Sequence, residues 1–275
     1  MASKKELSLR PKKSLGQHFL TDPNIIRKII ALADIAPGDD VVEIGPGHGV
    51  LTEALLAAGA HVLAIEIDQE LCPILQDRFS SYSHFTLALG DACRYPYQEI
   101  NHPFQVVANL PYQISTPILF RLLEERDHLT KMVLMVQKEV AQRLAAKPNS
   151  KEYGALSVLF QRFADVKIAF GVSRSCFRPA PNVDSSVIKI TLLPASRVSL
   201  LNEAFFEKVV RGAFSHRRKF LSNTLSDSGF PRTLCLDAFA KIGMDACRRA
   251  ETLSIDEFAA LANELFIQNE NIKYL

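Results

Sequence analysis

Between residues 39 and 193, short apolar runs alternate with longer segments in which apolar residues recur every three or four positions. Short apolar runs are typical of buried strands, and the longer periodic segments are typical of amphipathic helices. Their alternation favours β-α-β units around a mainly parallel, open α/β sheet. Seven strands are predicted, at residues 41–45, 61–67, 85–90, 104–109, 131–137, 166–172 and 186–193.

Helices are predicted between these strands, and a helical tail is predicted after them. The helices fall at residues 51–58, 69–80, 117–125 and 138–146. The proline-rich link SRSCFRPAPNVDS is too short for a crossover helix, so the last two strands are expected to pair antiparallel. Helical periodicity dominates after Pro194, where Ser254 and Glu257 resemble a capping box. We therefore predict one domain at residues 1–197, with residues 1–15 as a mobile basic arm, and a small helical domain at 198–275.

Composition and cysteine usage exclude several classes of protein. The chain has 275 residues and no apolar run near the roughly 18 residues that span a bilayer, and its basic start lacks an apolar signal core. The five cysteines are odd in number and widely spaced, which argues against a disulfide framework and a zinc site. We expect a cytoplasmic protein without membrane or metal partners, and nothing demands more than a monomer.

The net charge of +2 is too small to indicate a nucleic-acid-binding protein, so the distribution of charge matters more. Two local clusters are basic. The first comprises Lys4, Lys5, Arg10, Lys12 and Lys13, and the second Arg211, His216, Arg217, Arg218 and Lys219. Either cluster is a solvated surface or a contact for phosphate groups.

The segment EIGPGHG follows the first predicted strand and opens a helix. Gly45 and Gly47 let the backbone approach a ligand, and Gly49 allows close packing where the helix starts. Glu66 ends the second strand, where a carboxylate can receive two ribose hydroxyls. The alternatives are a tight turn at the glycines and a helix-capping role for Glu66, and a nicotinamide dehydrogenase would fit almost as well.

Asp91 follows the third predicted strand in the segment GDA. An aspartate at this place can accept a hydrogen bond from an adenine amino group, which would give a nucleoside a third anchor. The alternative is that Asp91 caps a helix or turn.

The segment NLPY, at residues 109–112, ends the apolar strand 104–109. Pro111 cannot donate to a ladder, so the chain turns at the carboxyl end of the strand, where ligands usually bind in open α/β sheets. Asn109 and Tyr112 would then be delivered to a binding site. The alternative is an ordinary strand-to-helix turn, with Asn109 bonding the backbone and Tyr112 packing on the core.

These motifs, with Glu43 two residues before the first glycine of the turn, resemble the class I methyltransferases that use S-adenosylmethionine. NLPY is similar to the Asn/Asp-Pro-Pro-Tyr/Phe motif of enzymes that methylate nucleobase amines. Together with KKSLGQHFL (12–20) and FRPAPNVDSSVI (177–188), it resembles the small-subunit ribosomal RNA adenine dimethyltransferases along nearly the whole chain. The resemblance implies a Rossmann-like class I fold with a helical C-terminal domain and a cofactor site that also uses Gly47. It places cofactor contacts at His18, Leu20, Gly45, Glu66, Asp91 and Asn109.

One position departs from this pattern, because His18 stands where many relatives have asparagine. A neutral imidazole can still donate or accept one hydrogen bond.

The NLPY residues suit transfer of a methyl group to an adenine amine, whose lone pair is delocalised into the ring. The Asn109 oxygen and a backbone carbonyl at Leu110 or Pro111 could each accept an N–H bond and favour a pyramidal nitrogen. Tyr112 would stack on the base, with Phe177 on its opposite face unless Phe177 is a hydrophobic plug. We hypothesise that Leu110 leaves room for the first methyl group.

The resemblance implies that the substrate is two adjacent adenosines in a hairpin near the 3′ end of 16S rRNA, within the assembling or mature 30S subunit. Lys12, Lys13, Arg211, Arg217, Arg218 and Lys219 are the candidate RNA contacts. Three alternatives remain: a large-subunit rRNA dimethyltransferase, a nicotinamide oxidoreductase that leaves NLPY unexplained, and an assembly factor that acts mainly by binding.

Overall fold

The computed structural model describes residues 11–12 and 15–273. Lys4, Lys5, Arg10 and Lys13 of the predicted basic arm lie outside these residues. The described chain forms two compact units. The first contains the chain up to residue 141 and residues 165–192, and the second contains residues 142–164 and the chain from 193 onward.

This division differs from the predicted boundary after residue 197, because residues 142–164 pack with the C-terminal helices. The Tyr153 hydroxyl, for example, donates to the Leu253 carbonyl over 2.9 Å. The second unit is therefore discontinuous in sequence.

The first unit contains a seven-stranded sheet and a separate two-stranded sheet. The strands are β1 Phe19–Leu20, β2 Asp40–Ile44, β3 His61–Glu66, β4 Phe85–Leu89, β5 Phe104–Asn109, β6 Leu129–Gln137, β7 Ala164–Val172, β8 Phe177–Arg178 and β9 Ser185–Leu192. The large sheet has the order β4-β3-β2-β5-β6-β9-β7, and β1 pairs with β8. Strands β2 to β6 pair in parallel, and β9 runs antiparallel to β6. The predicted seven-stranded, mostly parallel sheet is confirmed.

Ten α-helices lie within the described residues. They are α1 Pro23–Ala33, α2 Val50–Ala57, α3 Cys72–Arg78, α4 Ser115–Glu124, α5 Lys138–Ala145, α6 Ala155–Gln161, α7 Glu203–Ala213, α8 Leu221–Asp227, α9 Arg232–Lys241 and α10 Ile255–Lys273. Helix α3 begins later than predicted, because Pro73 fits the first turn of a helix but not its interior. The capping box is confirmed, since Ser254 N–H donates to Glu257 and Glu257 N–H donates to Ser254 Oγ.

One cluster of core residues in the first unit lies against one face of the large sheet. Inward side chains such as Val41, Val62 and Val107 pack with Ile29 of α1 and Leu55 of α2, and all five are at most 2% exposed. Continuous apolar strands of this kind are typical of parallel sheets covered on both faces.

Strand β2 lies between β3 and β5, so the chain runs outward to β4 and then returns to the other side of β2. This reversal creates a crevice at the carboxyl ends of β2 and β5, where open α/β sheets bind ligands. Gly45, Glu66, Asp91 and Asn109 end or follow the four neighbouring strands. The sheet order therefore brings them to one edge.

None of the helices within residues 15–273 is both long enough and apolar enough to cross a membrane. In the same part of the chain, no group of three or more His, Cys, Asp or Glu side chains is arranged to hold a metal ion. The five cysteines are free thiols.

The close packing predicted at Gly49 is confirmed and can be tested by substitution. Gly49 has φ +77°, and a Cβ at this residue would lie 2.6 Å from the Phe79 ring. Gly49→Ala should therefore combine backbone strain with overpacking of the core. Gly38→Ala is the matched control, because Gly38 has φ +89° and nothing within 4 Å of the added Cβ.

Urea unfolding without cofactor should show that Gly49→Ala lowers the free energy of unfolding by about 1–3 kcal/mol more than Gly38→Ala. Equal losses for the two variants would contradict close packing at Gly49.

Candidate active site

A cavity of about 260 Å³ opens at this edge of the first unit. Ten of the predicted site residues line it: His18, Leu20, Gly45, Gly47, Glu66, Asp91, Asn109, Leu110, Pro111 and Tyr112. The structure therefore brings together the glycine turn, three strand ends and the N-terminal segment.

The glycine turn leaves its backbone accessible to a ligand. Gly45 and Gly47 both have positive φ values, of 66° and 57°. A Cβ at Gly45 would lie 3.4 Å from the Pro111 ring, and one at Gly47 would lie 2.9 Å from the Phe19 ring. Larger residues would be strained here and would fill the space between the turn and its neighbours.

Glu66 ends β3 and is only 4% exposed, although it lines the cavity. Its two carboxylate oxygens accept the N–H groups of Asp68 over 2.8 Å and Gly47 over 3.3 Å. Burial raises the pKa of Glu66 above its ordinary value. A carboxylate has about four acceptor positions, so acceptor capacity remains for a ribose hydroxyl. The site therefore fits an adenosyl cofactor.

Asp91 both caps a turn and lies where it could contact a nucleoside. Its Oδ1 accepts the Cys93 N–H over 2.9 Å, which is a turn cap, and the residue also lines the cavity. Its side chain is 38% exposed, so acceptor capacity remains.

The amide of Asn109 has a fixed orientation. Its Nδ2 donates to the carbonyl oxygen of His18 over 3.3 Å. The amide oxygen is thereby left as an acceptor in the cavity wall.

The two carbonyls that follow Asn109 differ in their partners. The Pro111 carbonyl accepts from the Ser115 hydroxyl over 3.1 Å and from the Ile114 N–H over 3.2 Å. The Leu110 N–H donates to the Met135 carbonyl over 3.0 Å, a bond that proline could not make. Within the described residues, the Leu110 carbonyl accepts no hydrogen bond, so it is the better second acceptor.

The Tyr112 side chain is held by one contact at its hydroxyl and another at its ring. Its hydroxyl lies 2.6 Å from Ser185 Oγ, and its ring centroid lies 5.4 Å from that of His18. Burial raises the pKa of Tyr112. The position of the ring is therefore fixed, and Tyr112 still lines the cavity.

The N-terminal wall of the cavity is tied to the FRPAP loop. Phe19 and Leu20 pair with Arg178 and Phe177 through β1 and β8. The His18 ring nitrogen Nδ1 donates to the Pro179 carbonyl over 2.8 Å. The FRPAP loop thus supports the N-terminal wall from behind without lining the cavity itself.

The other end of this wall is clamped by Asp68. Lys12 Nζ lies 2.6 Å from Asp68 and 3.0 Å from Glu70, and Gln17 Nε2 donates to Asp68 over 2.8 Å. Burial alone would raise the pKa of Asp68, but the hydrogen bonds from Lys12 and Gln17 lower it below its ordinary value. In this structure the Lys12 ammonium is therefore paired with carboxylates, which does not support its predicted contact with RNA.

The placement of Phe177 contradicts its predicted position at the target base. Phe177 is 0% exposed, does not line the cavity and packs in the core of the first unit. Its pairing with Leu20 through β1 and β8 turns it inward, so it is a hydrophobic plug here.

The second basic cluster is partly neutralised by nearby acidic side chains. Arg211 pairs with Glu207, Arg217 with Glu251 over 3.0 Å, and Lys219 with Asp227 over 2.9 Å. Arg218 is exposed and has no ion-pair partner in the described part of the chain. Of the predicted RNA contacts in this cluster, Arg218 therefore has its charge available, whereas Arg211, Arg217 and Lys219 are paired with acids.

Sequence reasoning missed several residues of the cavity. Ile67 and Gln113 line the cavity, and neither was predicted. Ile67 follows Glu66 and is 51% exposed. The Gln113 side chain packs close to Gly16, where an added Cβ would lie 3.4 Å from it. Gln17 and Phe19 could have been predicted, because they belong to the motif at residues 12–20. Ile67 could not, because in the sequence it looks like an ordinary apolar strand residue.

The order of the sheet and the cavity at its reversal are those of a class I, S-adenosylmethionine-dependent methyltransferase, and the NLPY residues line this cavity. The model of the family "Ribosomal RNA adenine dimethylase" matches residues 8–266. The chain belongs to this family, and its activity is S-adenosylmethionine-dependent dimethylation of adenine in ribosomal RNA.

Individual relatives agree with the family assignment. The chain is 43% identical to "Ribosomal RNA small subunit methyltransferase A" of Moorella thermoacetica, over 96% of each chain. It is similar to the crystal structure of a dimethyladenosine transferase from Plasmodium falciparum, with a TM-score of 0.76, 30% identity and coverage of 92% of this chain and 98% of that one. It shares its fold with the 23S rRNA methyltransferase ErmE, with a TM-score of 0.67, 23% identity and coverage of 90% and 99%.

The Asp68 clamp leads to a testable expectation for cofactor binding. Asp68→Asn removes the charge that Lys12 contacts and weakens the hold on Gln17, so the N-terminal wall should loosen. Calorimetry should show affinity for S-adenosylmethionine reduced by about tenfold, equivalent to one lost charge-assisted hydrogen bond.

Glu70→Gln is the matched control, because Glu70 contacts Lys12 but not Gln17 and its side chain is 59% exposed. It should change the affinity by less than about twofold. The same loss in both variants would show that the wall does not depend on Asp68.

Proposed function

We propose that the chain transfers methyl groups from S-adenosylmethionine to N6 of two adjacent adenosines in a hairpin near the 3′ end of 16S rRNA, and so contributes to ribosome biogenesis. The observation that carries this proposal is the Asn109 amide, which is fixed by the His18 carbonyl with its oxygen available in the cavity. The name of the Moorella thermoacetica relative supports the choice of the small subunit.

When bound, S-adenosylmethionine supplies an electrophilic methyl group on a sulfonium that departs as a thioether. The chain must therefore position the amine and favour its lone pair, and it needs no strong base. Holding reactants in an attack geometry can contribute several kcal/mol to a reaction of this kind.

Two acceptors are available for the two hydrogens of the target amine. We assign them to the Asn109 Oδ1 and the Leu110 carbonyl, because the Pro111 carbonyl already accepts two hydrogen bonds. Acceptors for both N–H groups favour a pyramidal nitrogen, and they stabilise the positive charge that develops during transfer.

Tyr112 would hold the base by stacking, an interaction worth roughly 1–3 kcal/mol for an unpaired base. Ser185 fixes the far end of its ring, and the His18 ring lies beside it. Phe177 would reach the base only by leaving its packing in the core. Leu110, which is 1% exposed, remains our candidate for the residue that accommodates the first methyl group.

The proposed cofactor contacts are residues that line the same cavity. Glu66 would bind the ribose and Asp91 the adenine amine, while the backbone at Gly45 and Gly47 approaches the methionine part. His18 and Leu20 would close the cavity from the N-terminal side.

The helical unit would contribute the RNA surface. Arg218 and the neighbouring Phe220, which is 46% exposed, offer a charge for phosphate and a ring for a base. Arg211, Arg217 and Lys219 would have to exchange their acidic partners for phosphate. We further propose that the partner is the 30S subunit or its precursor, that the enzyme acts as a monomer, and that it works in the cytoplasm.

The direct test is mass spectrometry of ribosomal RNA after incubation of unmethylated 30S and 50S subunits with the chain and methyl donor. We expect two dimethyladenosines in one 16S fragment. Modification of 50S RNA alone would favour the large-subunit alternative. The fold cannot decide between the two substrates, because a 23S rRNA methyltransferase shares it.

Asn109→Ala removes one of the two acceptors and should lower methyl transfer by at least about a hundredfold, the usual cost of losing a preorganised polar contact. Affinity for 30S subunits, measured by sedimentation, should be unchanged. Unchanged transfer would remove Asn109 from the mechanism, whereas lost transfer with normal subunit maturation in cells would favour the assembly-factor alternative.

Arg218→Ala should weaken binding to 30S subunits and reduce the slope of log affinity against log salt by about 1. Arg211→Ala is the matched control, because the Arg211 charge is paired with Glu207. Filter binding over a salt series compares them. An equal change in slope for both variants would contradict the distinction between paired and unpaired arginines.

A further inference from the structure

The proposed function needs the ring of Tyr112 but not its hydroxyl group. Stacking on a base uses the face of an aromatic ring, so it does not depend on a hydroxyl. The Tyr112 hydroxyl nevertheless has a specific partner, because its oxygen lies 2.6 Å from the Oγ of Ser185. Ser185 is 0% exposed and does not line the cavity, so it cannot touch the substrate itself.

The hydrogen bond between Tyr112 and Ser185 crosses the end of a strand. Tyr112 follows β5, Ser185 begins β9, and β6 lies between these two strands in the sheet. Neighbouring strands are about 4.8 Å apart, so β5 and β9 are separated by roughly 10 Å. The Tyr112 side chain therefore extends from the NLPY turn over the carboxyl end of β6.

Ser185 is itself fixed by the backbone around it. It pairs with Gln137 in the antiparallel ladder of β6 and β9. The preceding residue, Asp184, accepts the Arg174 N–H over 3.0 Å through Oδ1 and the Lys138 N–H over 3.0 Å through its backbone carbonyl. The buried Ser185 hydroxyl is therefore a fixed point of attachment.

The bond to Ser185 limits the rotation of the Tyr112 side chain. The residue is only half-buried, and one side of its ring faces the cavity. The nearest ring is that of His18, at a centroid distance of 5.4 Å and an angle of 32°. A contact of this kind leaves the ring free to tilt, whereas a hydrogen bond at its far end fixes the ring's direction.

We propose that Ser185 is a positioning residue for the target adenine. By fixing the Tyr112 hydroxyl, it sets the place of the ring on which the base stacks, and so the alignment of N6 with the acceptors at Asn109 and Leu110. Misplacement of a bound reactant by about 1 Å can lower a rate by about a hundredfold, so the position of this ring matters. The inference rests on the proposed function, in which the base stacks on Tyr112.

Ser185→Ala removes the hydroxyl and adds no bulk to a buried site. In single-turnover experiments with saturating subunits and methyl donor, it should slow methyl transfer by about three- to tenfold, the usual effect of one lost hydrogen bond. An unchanged rate would overturn the proposal.

Ser186→Ala is the matched control. Ser186 follows Ser185 on β9, is 4% exposed, and points to the opposite face of the sheet. Its hydroxyl makes no hydrogen bond to another residue between 15 and 273. The rate should change by less than about twofold. Equal slowing in the two serine variants would overturn the proposal, because it would show a general effect of packing in β9.

Tyr112→Phe keeps the ring and removes the other half of the same hydrogen bond. It should slow transfer by the same factor as Ser185→Ala. The double variant should be no slower than either single variant, within about twofold, because both changes remove one interaction. Losses that multiply in the double variant would overturn the proposal.

Steady-state kinetics and calorimetry separate positioning from a purely structural role of Ser185. The kcat of Ser185→Ala should fall while KM for the subunit and the affinity for S-adenosylmethionine stay within about twofold, because the bond acts on a base that is already bound. A loss confined to KM or to cofactor affinity would overturn the proposal. The measurements use whichever subunit, 30S or 50S, the wild type methylates, so a wrong choice of subunit in the proposed function would leave this test intact.

Discussion

The hydrogen bond from the Asn109 amide to the His18 carbonyl is the contact on which the proposed chemistry of this site depends. It joins residues separated by 91 positions in the sequence. An unconstrained amide could present either its NH₂ group or its oxygen to a ligand. Because Nδ2 already donates to His18, the oxygen is preorganised as the acceptor that the proposed mechanism requires.

That contact exists because the parallel sheet and the β1–β8 pairing meet at the carboxyl ends of the strands. The parallel order of β4, β3, β2 and β5 places the strand ends side by side, and the β1–β8 pairing brings the N-terminal segment over them. Asp68 then links the two, because its backbone N–H orients Glu66 while its carboxylate holds Lys12 and Gln17. Loss of the wall would therefore disturb both cofactor and amine.

Local patterns predicted most of the fold, since strand periodicity and turn chemistry depend on neighbouring residues. Strand β5 was predicted with its observed bounds, and the capping box of α10 followed from two residues three positions apart. Of the site, the strand ends were predictable because parallel strands share an edge. Contacts made across the sequence were not: the pairing of Lys12 with Asp68, the inward turn of Phe177 and the pairing of Arg217 with Glu251 arise only when distant segments meet.

The most direct measurement is a structure of the chain with S-adenosylhomocysteine and a short RNA that carries the target adenosines. The account predicts that the adenine N6 lies within hydrogen-bond distance of both the Asn109 Oδ1 and the Leu110 carbonyl, with Asn109 Nδ2 still on His18. An amine bound to the Pro111 carbonyl, or an Asn109 amide turned away from the base, would contradict it.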